Sequence, residues 1–79
     1  MPSLSDTSAP EIIVYTHPDC GFSAAVKFDY DNRGVKYREI DISLQPEAIP
    51  ELERLAGGER ITPVIVEGDK VTVGFNGIG

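Results

Sequence analysis

The apolar run Ile12-Ile13-Val14-Tyr15, with the stretch that follows it, restricts the fold more than any other part of the chain. Its β-branched and aromatic residues lack polar alternation, which predicts a central strand with parallel neighbours, buried on both faces. Thr16-His17-Pro18-Asp19-Cys20-Gly21-Phe22-Ser23 comes next, and apolar residues then recur at helical spacing as far as Arg33. The only cysteine therefore lies where a strand gives way to a helix.

This position suits Cys20 to thiol chemistry. The free N–H groups and the positive dipole end of a helix start favour the thiolate, which is the reactive form. The Ser23 hydroxyl can cap the first turn or donate to that thiolate, but it cannot close a disulfide. We therefore predict monothiol chemistry, in which Cys20 attacks a mixed disulfide and an external thiol releases the adduct. A small buried hydrophobic residue is the alternative interpretation of Cys20.

Composition narrows the class of protein. Of the 79 residues, 1–10 have little to bury, so we predict a flexible lead without signal-peptide features, followed by one domain over residues 11–79. No run approaches the ~18 apolar residues of a membrane span. The net charge is −6 and the basic residues are scattered, which argues against nucleic-acid and membrane partners. One cysteine and one histidine predict no disulfide and no metal site, and they fit a reducing cytoplasm.

The remaining elements follow an alternating order. We predict a helix over Gly21–Arg33 ending at Gly34, a strand over Val35–Ile42, a helix starting near Pro50, and a hairpin over Pro63–Gly74 with a type II′ turn. The order β-α-β-α-β-β predicts an α/β fold, with two right-handed crossovers and a hairpin in a four-stranded mixed sheet. The predicted core-facing residues include Tyr15, Phe28, Tyr37, Ile49, Leu52, Leu55 and Ala56.

Several segments occur in the order of a known family: Val14-Tyr15-Thr16, Pro18-Asp19-Cys20-Gly21-Phe22-Ser23, residues 34–42, Pro46-Glu47-Ala48 and Thr62-Pro63-Val64-Ile65-Val66. Together they resemble the glutaredoxins of the thioredoxin superfamily, over residues 11 to about 76. Cys-Gly-Phe-Ser is similar to the signature of the monothiol branch, and residues 71–75 resemble small bacterial redoxins that serve ribonucleotide reductase. The resemblance implies a thioredoxin-like fold, from which this chain lacks the usual C-terminal helix.

The resemblance also implies roles for individual residues. Cys20 and Ser23 would be catalytic, and the substrate groove would include His17, Phe22, Thr62, Pro63, Gly74, Phe75 and Asn76. Pro63 matches the family's cis-proline, which would turn the Thr62 backbone toward Cys20 to pair with glutathione or an extended peptide. An ordinary trans proline at a strand start is the alternative.

Two parts of this groove depart from the family pattern. His17 replaces a lysine, and it is either a partner of a carboxylate or thiolate or an exposed loop residue. Gly74-Phe75-Asn76-Gly77 replaces the family's Gly-Gly-x-Asp segment. Phe75 can form a groove wall or join the core, and Gly74 either lines the groove or is merely a turn residue.

Three functional hypotheses follow. The first is a cytoplasmic, monomeric, glutaredoxin-like thiol–disulfide oxidoreductase, in which Cys20 acts on mixed disulfides of glutathione or a similar thiol in protein clients. Glutathione would be a co-substrate, with no tightly bound cofactor. The second is a [2Fe–2S] carrier, in which two chains give Cys20 and two glutathiones complete the ligand set. The third is a redox-inactive interaction module. If the native chain continues past Gly79, we expect a resolving redox group there.

Overall fold

The structure is a computed structural model that describes residues 11–74. The elements occur in the predicted order: β1 (Ile12–Thr16), α1 (Gly21–Arg33), β2 (Arg38–Asp41), a 3-10 turn (Pro46–Ala48), α2 (Ile49–Leu55), β3 (Val64–Glu67) and β4 (Lys70–Val73). The predicted flexible lead and the predicted groove residues Phe75 and Asn76 lie outside the described residues. Neither of the two described helices is long and apolar enough to cross a membrane.

The four strands form one mixed sheet in the order β2-β1-β3-β4. Strand β1 pairs in parallel with β2, where Ile13 lies opposite Arg38, and antiparallel with β3, where Tyr15 lies opposite Val64. The mixed four-stranded sheet is thus confirmed, but the prediction of a second parallel crossover is wrong. The chain leaving α2 returns to the edge at which β1 ends, and β3 therefore starts there and runs the other way.

The ends of the helices follow from local chemistry. Helix α1 begins directly after Cys20 and stops at Gly34, which adopts a left-handed φ of 70°. Pro50 lies in the first turn of α2, where its missing N–H removes no helical hydrogen bond, and the predicted late start is confirmed. Strand β2 begins at Arg38 rather than at Val35, because the Val35 N–H donates to the Tyr30 carbonyl at 2.9 Å and completes the end of α1.

The two faces of the sheet are covered by different helices. Tyr15, Ile42, Leu52 and Val64 form the buried cluster on the α2 side, with Ile49, Leu55 and Ala56 packed against it. Val14 alternates to the other face, where α1 lies against β1. The prediction that Phe28 packs inside is wrong, since it is 70% exposed. It lies about 200° around α1 from the buried Val26, and so it points away from the sheet.

Three turns of the chain lie at one edge of the sheet, the end at which β1 finishes. Strand β4 also ends there and β3 begins there, as their directions require. The segments carrying Cys20, Thr62 and Gly74 therefore meet along it, although they are far apart in the sequence.

Candidate active site around the Cys20 thiol

Cys20 occupies the N-cap position of α1. Its backbone is extended, with φ −100° and ψ 111°. Its carbonyl accepts hydrogen bonds from the N–H groups of Ser23 (3.1 Å) and Ala24 (3.4 Å), while its own N–H donates to the His17 carbonyl at 3.0 Å. These bonds hold the residue at the helix start, and its side chain remains partly exposed to solvent.

The Cys20 thiol faces the turn that leads into β3. Its Sγ donates to the Thr62 carbonyl, with 3.2 Å between the two atoms. The Thr62–Pro63 peptide bond is cis, as the resemblance implied, and Pro63 is fully buried. The backbone of Thr62 therefore lies directly beside the sulfur.

Ser23 lies under the loop that carries the thiol. It is 1% exposed, and its Oγ accepts a hydrogen bond from the His17 N–H at 3.3 Å. Its hydroxyl also lowers the pKa of the Cys20 thiol. Among the residues that the structure describes, no side chain caps the first turn, so the predicted capping role is wrong: the Ser23 Oγ instead orders the loop before the helix. Donation to the thiolate stays a prediction.

The surroundings of Cys20 lower the pKa of its thiol. Burial is the largest single influence and raises the pKa, but hydrogen bonds outweigh it. These come from the side chains of Ser23 and Thr62 and from the backbone N–H groups of Ser23 and Phe22. The thiol's own hydrogen bond to the Thr62 carbonyl works in the opposite direction, because it requires the proton on sulfur. The net result is a thiol that ionises more readily than usual.

His17 organises the loop between β1 and Cys20. Its Nδ1 accepts a hydrogen bond from the Asp19 N–H at 3.1 Å, so in the neutral ring the proton resides on Nε2. Asp41, at the end of β2, faces the same region. The pKa of Asp41 is lowered first by the Ser43 hydroxyl and more weakly by the charge of His17. The structure thus places His17 beside the thiol loop, where its contact with a substrate stays a prediction.

The other predicted groove residues divide into three groups. Gly74 is buried, has a φ of 85°, and its N–H donates to the Pro63 carbonyl at 2.7 Å, so it lies against the same turn as Thr62. Phe22 follows Cys20 by two residues, and it is exposed to solvent. Phe75 and Asn76 lie outside the described residues. The structure therefore brings Cys20, Thr62, Pro63 and Gly74 to one edge.

Sequence reasoning missed one polar cluster next to this site. The Thr16 hydroxyl donates to Glu39 Oε2 at 2.7 Å, and Lys27 Nζ lies 3.0 Å from the same oxygen. The available signal was a polar residue, Thr16, at the end of an otherwise apolar buried strand. Among residues 11–74, the side chains of His, Cys, Asp and Glu form no group of three or more that can hold a metal ion.

The chain is similar to known proteins over most of its length. Residues 12–72 match the family model described as glutaredoxin. The glutaredoxin-like NrdH-redoxin of Escherichia coli is 37% identical, with 82% of this chain and 83% of that chain covered and a TM-score of 0.72. The glutaredoxin of Brucella melitensis is 30% identical, with coverages of 89% and 75% and a TM-score of 0.70.

A buckwheat glutaredoxin solved as a complex with glutathione is more distant. It is 26% identical, with 89% of this chain and 64% of that chain covered and a TM-score of 0.69. A search of curated proteins found no match. The family model spans most of the sequence, from the first residue of β1 almost to the end of β4. This chain therefore belongs to the glutaredoxin family and has its thioredoxin-like fold.

Proposed function

We propose that this protein is a monothiol thiol–disulfide oxidoreductase in which Cys20 is the nucleophile and mixed disulfides of glutathione are the substrates. The observation that carries the proposal is the position of the thiol, at the start of α1 and 3.2 Å from the Thr62 carbonyl. Its surroundings lower its pKa, which increases the fraction of the reactive thiolate near neutral pH. The proposed setting is a reducing compartment such as the cytoplasm, where free glutathione supplies the second thiol.

The reaction proceeds by two thiol–disulfide exchanges. The Cys20 thiolate attacks the glutathione sulfur of a client–glutathione disulfide, the S–S bond breaks, and the client leaves as a thiolate that takes a proton. A second glutathione thiolate then attacks the Cys20–glutathione disulfide and releases oxidised glutathione and the Cys20 thiolate. In total, the client–glutathione disulfide and one free glutathione become the client thiol and one oxidised glutathione. Because Cys20 is the only cysteine in the sequence, the adduct on this chain is resolved from outside.

Glutathione is supported as the substrate class by two separate arguments. The buckwheat relative was solved with glutathione bound. In this chain, the polar backbone of Thr62 lies beside the sulfur, where it can pair with the peptide-like backbone of a bound thiol. His17 and Gly74, which flank this position, are the proposed contacts for the rest of the ligand.

The test is the turnover of a glutathionylated peptide with glutathione as the reductant. Cys20→Ser is expected to lower the rate by on the order of 1000-fold or more, because the hydroxyl is a far weaker nucleophile at neutral pH. Mass spectrometry of the wild-type protein should show a single glutathione adduct on Cys20. Turnover that survives in Cys20→Ser would contradict the proposal.

Residue-resolved NMR tests the substrate class separately. A glutathione titration should shift the signals of Cys20 and Thr62, while a matched titration with free cysteine should shift them less. If the protein forms the Cys20 adduct but gives no such shifts, the thiol chemistry stands and a different small thiol replaces glutathione. Turnover with a dithiol reductant but not with glutathione would lead to the same conclusion.

A second candidate is the [2Fe–2S] carrier, which the Cys20-Gly21-Phe22-Ser23 sequence favours through its likeness to the monothiol branch. Cys20 would be this chain's ligand, and glutathione and a second copy would provide the others. Anaerobic reconstitution with iron, sulfide and glutathione discriminates between the two functions. A coloured dimer would support the carrier, and a colourless monomer would support the oxidoreductase.

A further inference from the structure

A single carboxylate oxygen joins three elements close to the thiol without contacting it. Glu39 Oε2 accepts a hydrogen bond from the Thr16 hydroxyl at 2.7 Å. The same oxygen forms an ion pair with Lys27 Nζ at 3.0 Å. Thr16 is the last residue of β1, Glu39 lies in β2, and Lys27 lies in α1. The oxygen therefore connects both strands of the parallel pair to the helix that carries Cys20.

The sheet register accounts for this arrangement. Glu39 lies opposite Val14, so it is a diagonal neighbour of Thr16 on the face of the sheet that α1 covers. Thr16 is 1% exposed, and a hydroxyl buried to this extent needs a partner. The Glu39 side chain is 32% exposed, so its ion pair with Lys27 is partly screened by solvent. The buried hydrogen bond to Thr16 is therefore expected to be the stronger of the two contacts.

We propose that Glu39 is a positioning residue that holds the start of α1 at a set distance from β1 and thereby keeps the Cys20 sulfur beside the Thr62 carbonyl. This inference rests on the proposed function, because the positioned group is the thiol assigned there as the nucleophile. Within residues 11–74, Glu39 forms hydrogen bonds with Thr16 and Lys27 but none with the Cys20 sulfur.

Several connections between elements set the position of Cys20 relative to Thr62. Thr62 leads into β3, which is held to β1 by backbone pairing such as Tyr15 opposite Val64. Cys20 is held to α1 by the hydrogen bonds of the helix start. The separation of Cys20 from Thr62 therefore depends on how α1 lies relative to β1. Only the loop of residues 17–20 connects these elements along the chain, and Glu39 binds the end of β1 and the side of α1 at once.

The sign of the effect separates positioning from charge. If Glu39 acted on Cys20 only through its negative charge, removing that charge would favour the thiolate and lower the pKa of the thiol. If it acts by positioning, its removal lets the sulfur move away from Thr62, whose side-chain hydrogen bond lowers the pKa of the thiol. The pKa of Cys20 would then rise. The two roles therefore predict opposite shifts.

The experiment measures the pH dependence of Cys20 alkylation by iodoacetamide in the full chain. Glu39→Ala is expected to raise the pKa of Cys20 by roughly 0.5 to 1 unit, with slower alkylation at neutral pH. Glu39→Gln keeps an acceptor oxygen for Thr16 and should restore most of the wild-type behaviour. Thr16→Val removes the hydroxyl at similar volume, and it should raise the pKa in the same direction if Glu39→Ala does not fold.

The matched control is Asp29→Asn, which breaks an exposed ion pair with Arg33 inside α1 and joins no two elements. It should leave the pKa of Cys20 unchanged. A lower or unchanged pKa in both Glu39→Ala and Thr16→Val, whether or not the melting temperature falls, would overturn the proposal. Because alkylation needs no substrate, a raised pKa would support positioning even if the wild-type protein showed no glutathione turnover. The absence of turnover would count against the proposed function alone.

Discussion

The two ends of the sheet hold their polar groups in different ways. At the end where β1 finishes, the Cys20 thiol lies among hydrogen-bonded groups, and Ser23 and Thr16 are almost completely buried. At the opposite end, Glu11 and Arg38 line an open groove of about 540 Å³. Their ion pair spans 3.9 Å, and both side chains are more than 60% exposed.

The open groove is separate from the Cys20 thiol, which does not line it. Charges in the open groove are screened by solvent, so they discriminate weakly between ligands and hold neighbouring groups only loosely. At the thiol end, hydrogen bonds lower the pKa of Cys20 before any substrate arrives. The lowered pKa of Cys20 depends on the placement of these groups, because hydrogen bonds shift a pKa only when they are held in place.

Of the changes that test this difference between the two ends of the sheet, Ser23→Ala at the thiol end is expected to have the largest effect. Removing the hydroxyl takes a hydrogen bond from the Cys20 thiolate and leaves the His17 N–H without its acceptor. We expect the pKa of Cys20 to rise and alkylation at pH 7 to slow by roughly 3- to 10-fold. Tyr37→Phe is the matched control, since it removes a hydroxyl at the other end, and it should leave alkylation unchanged. An unaltered rate in Ser23→Ala would show that the orientation of this donor does not matter.

A smaller effect is expected in the stability of the fold. Because folding lowers the pKa of Cys20, ionisation adds to the free energy of unfolding as pH rises through the folded pKa. The gain is complete above the unfolded pKa of about 8.5, and it is lost as pH falls. Urea unfolding of the wild type and Cys20→Ser between about pH 6 and pH 10 should show a difference that grows with pH. A difference that stays flat or shrinks would contradict the lowered pKa.

The smallest effect is expected from Arg38→Gln at the open groove. Loss of the exposed ion pair with Glu11 should change the free energy of unfolding by less than about 0.5 kcal/mol, and added salt should reduce even that change. Cys20 alkylation should match that of the wild type. A cost above about 1 kcal/mol would mean that this end is more strongly organised than its exposure indicates.

Local features of the structure could be predicted well from the sequence. The bounds of α1, the thiol at its start and Gly34 at its end follow from side-chain spacing and from the conformational freedom of glycine. The hairpin around Gly68 could be predicted for the same reason, and that residue has the positive φ that its turn requires. Each of these depends on contacts between residues that are near in sequence.

Features that depend on distant contacts could not be predicted in this way. The direction of β3 depends on the path of the chain after α2, and the helical pattern of Phe28 did not show which side of α1 meets the sheet. The Glu39 cluster needs the register of β1 with β2 and the placement of α1 together. Spacing along one element carries none of this information.

By itself, the sequence determined the order of the elements, the single thiol and its place at a helix start, because strand and helix periodicity and capping are local properties. Only the tertiary structure decided which groups surround that thiol. Ser23 and Phe22 are neighbours in the chain, but Thr62 reaches the sulfur from 42 residues away through the pairing of β3 with β1. The acidity of Cys20 therefore combines local donors at the helix start with the side chain of Thr62, which only the fold brings to the sulfur.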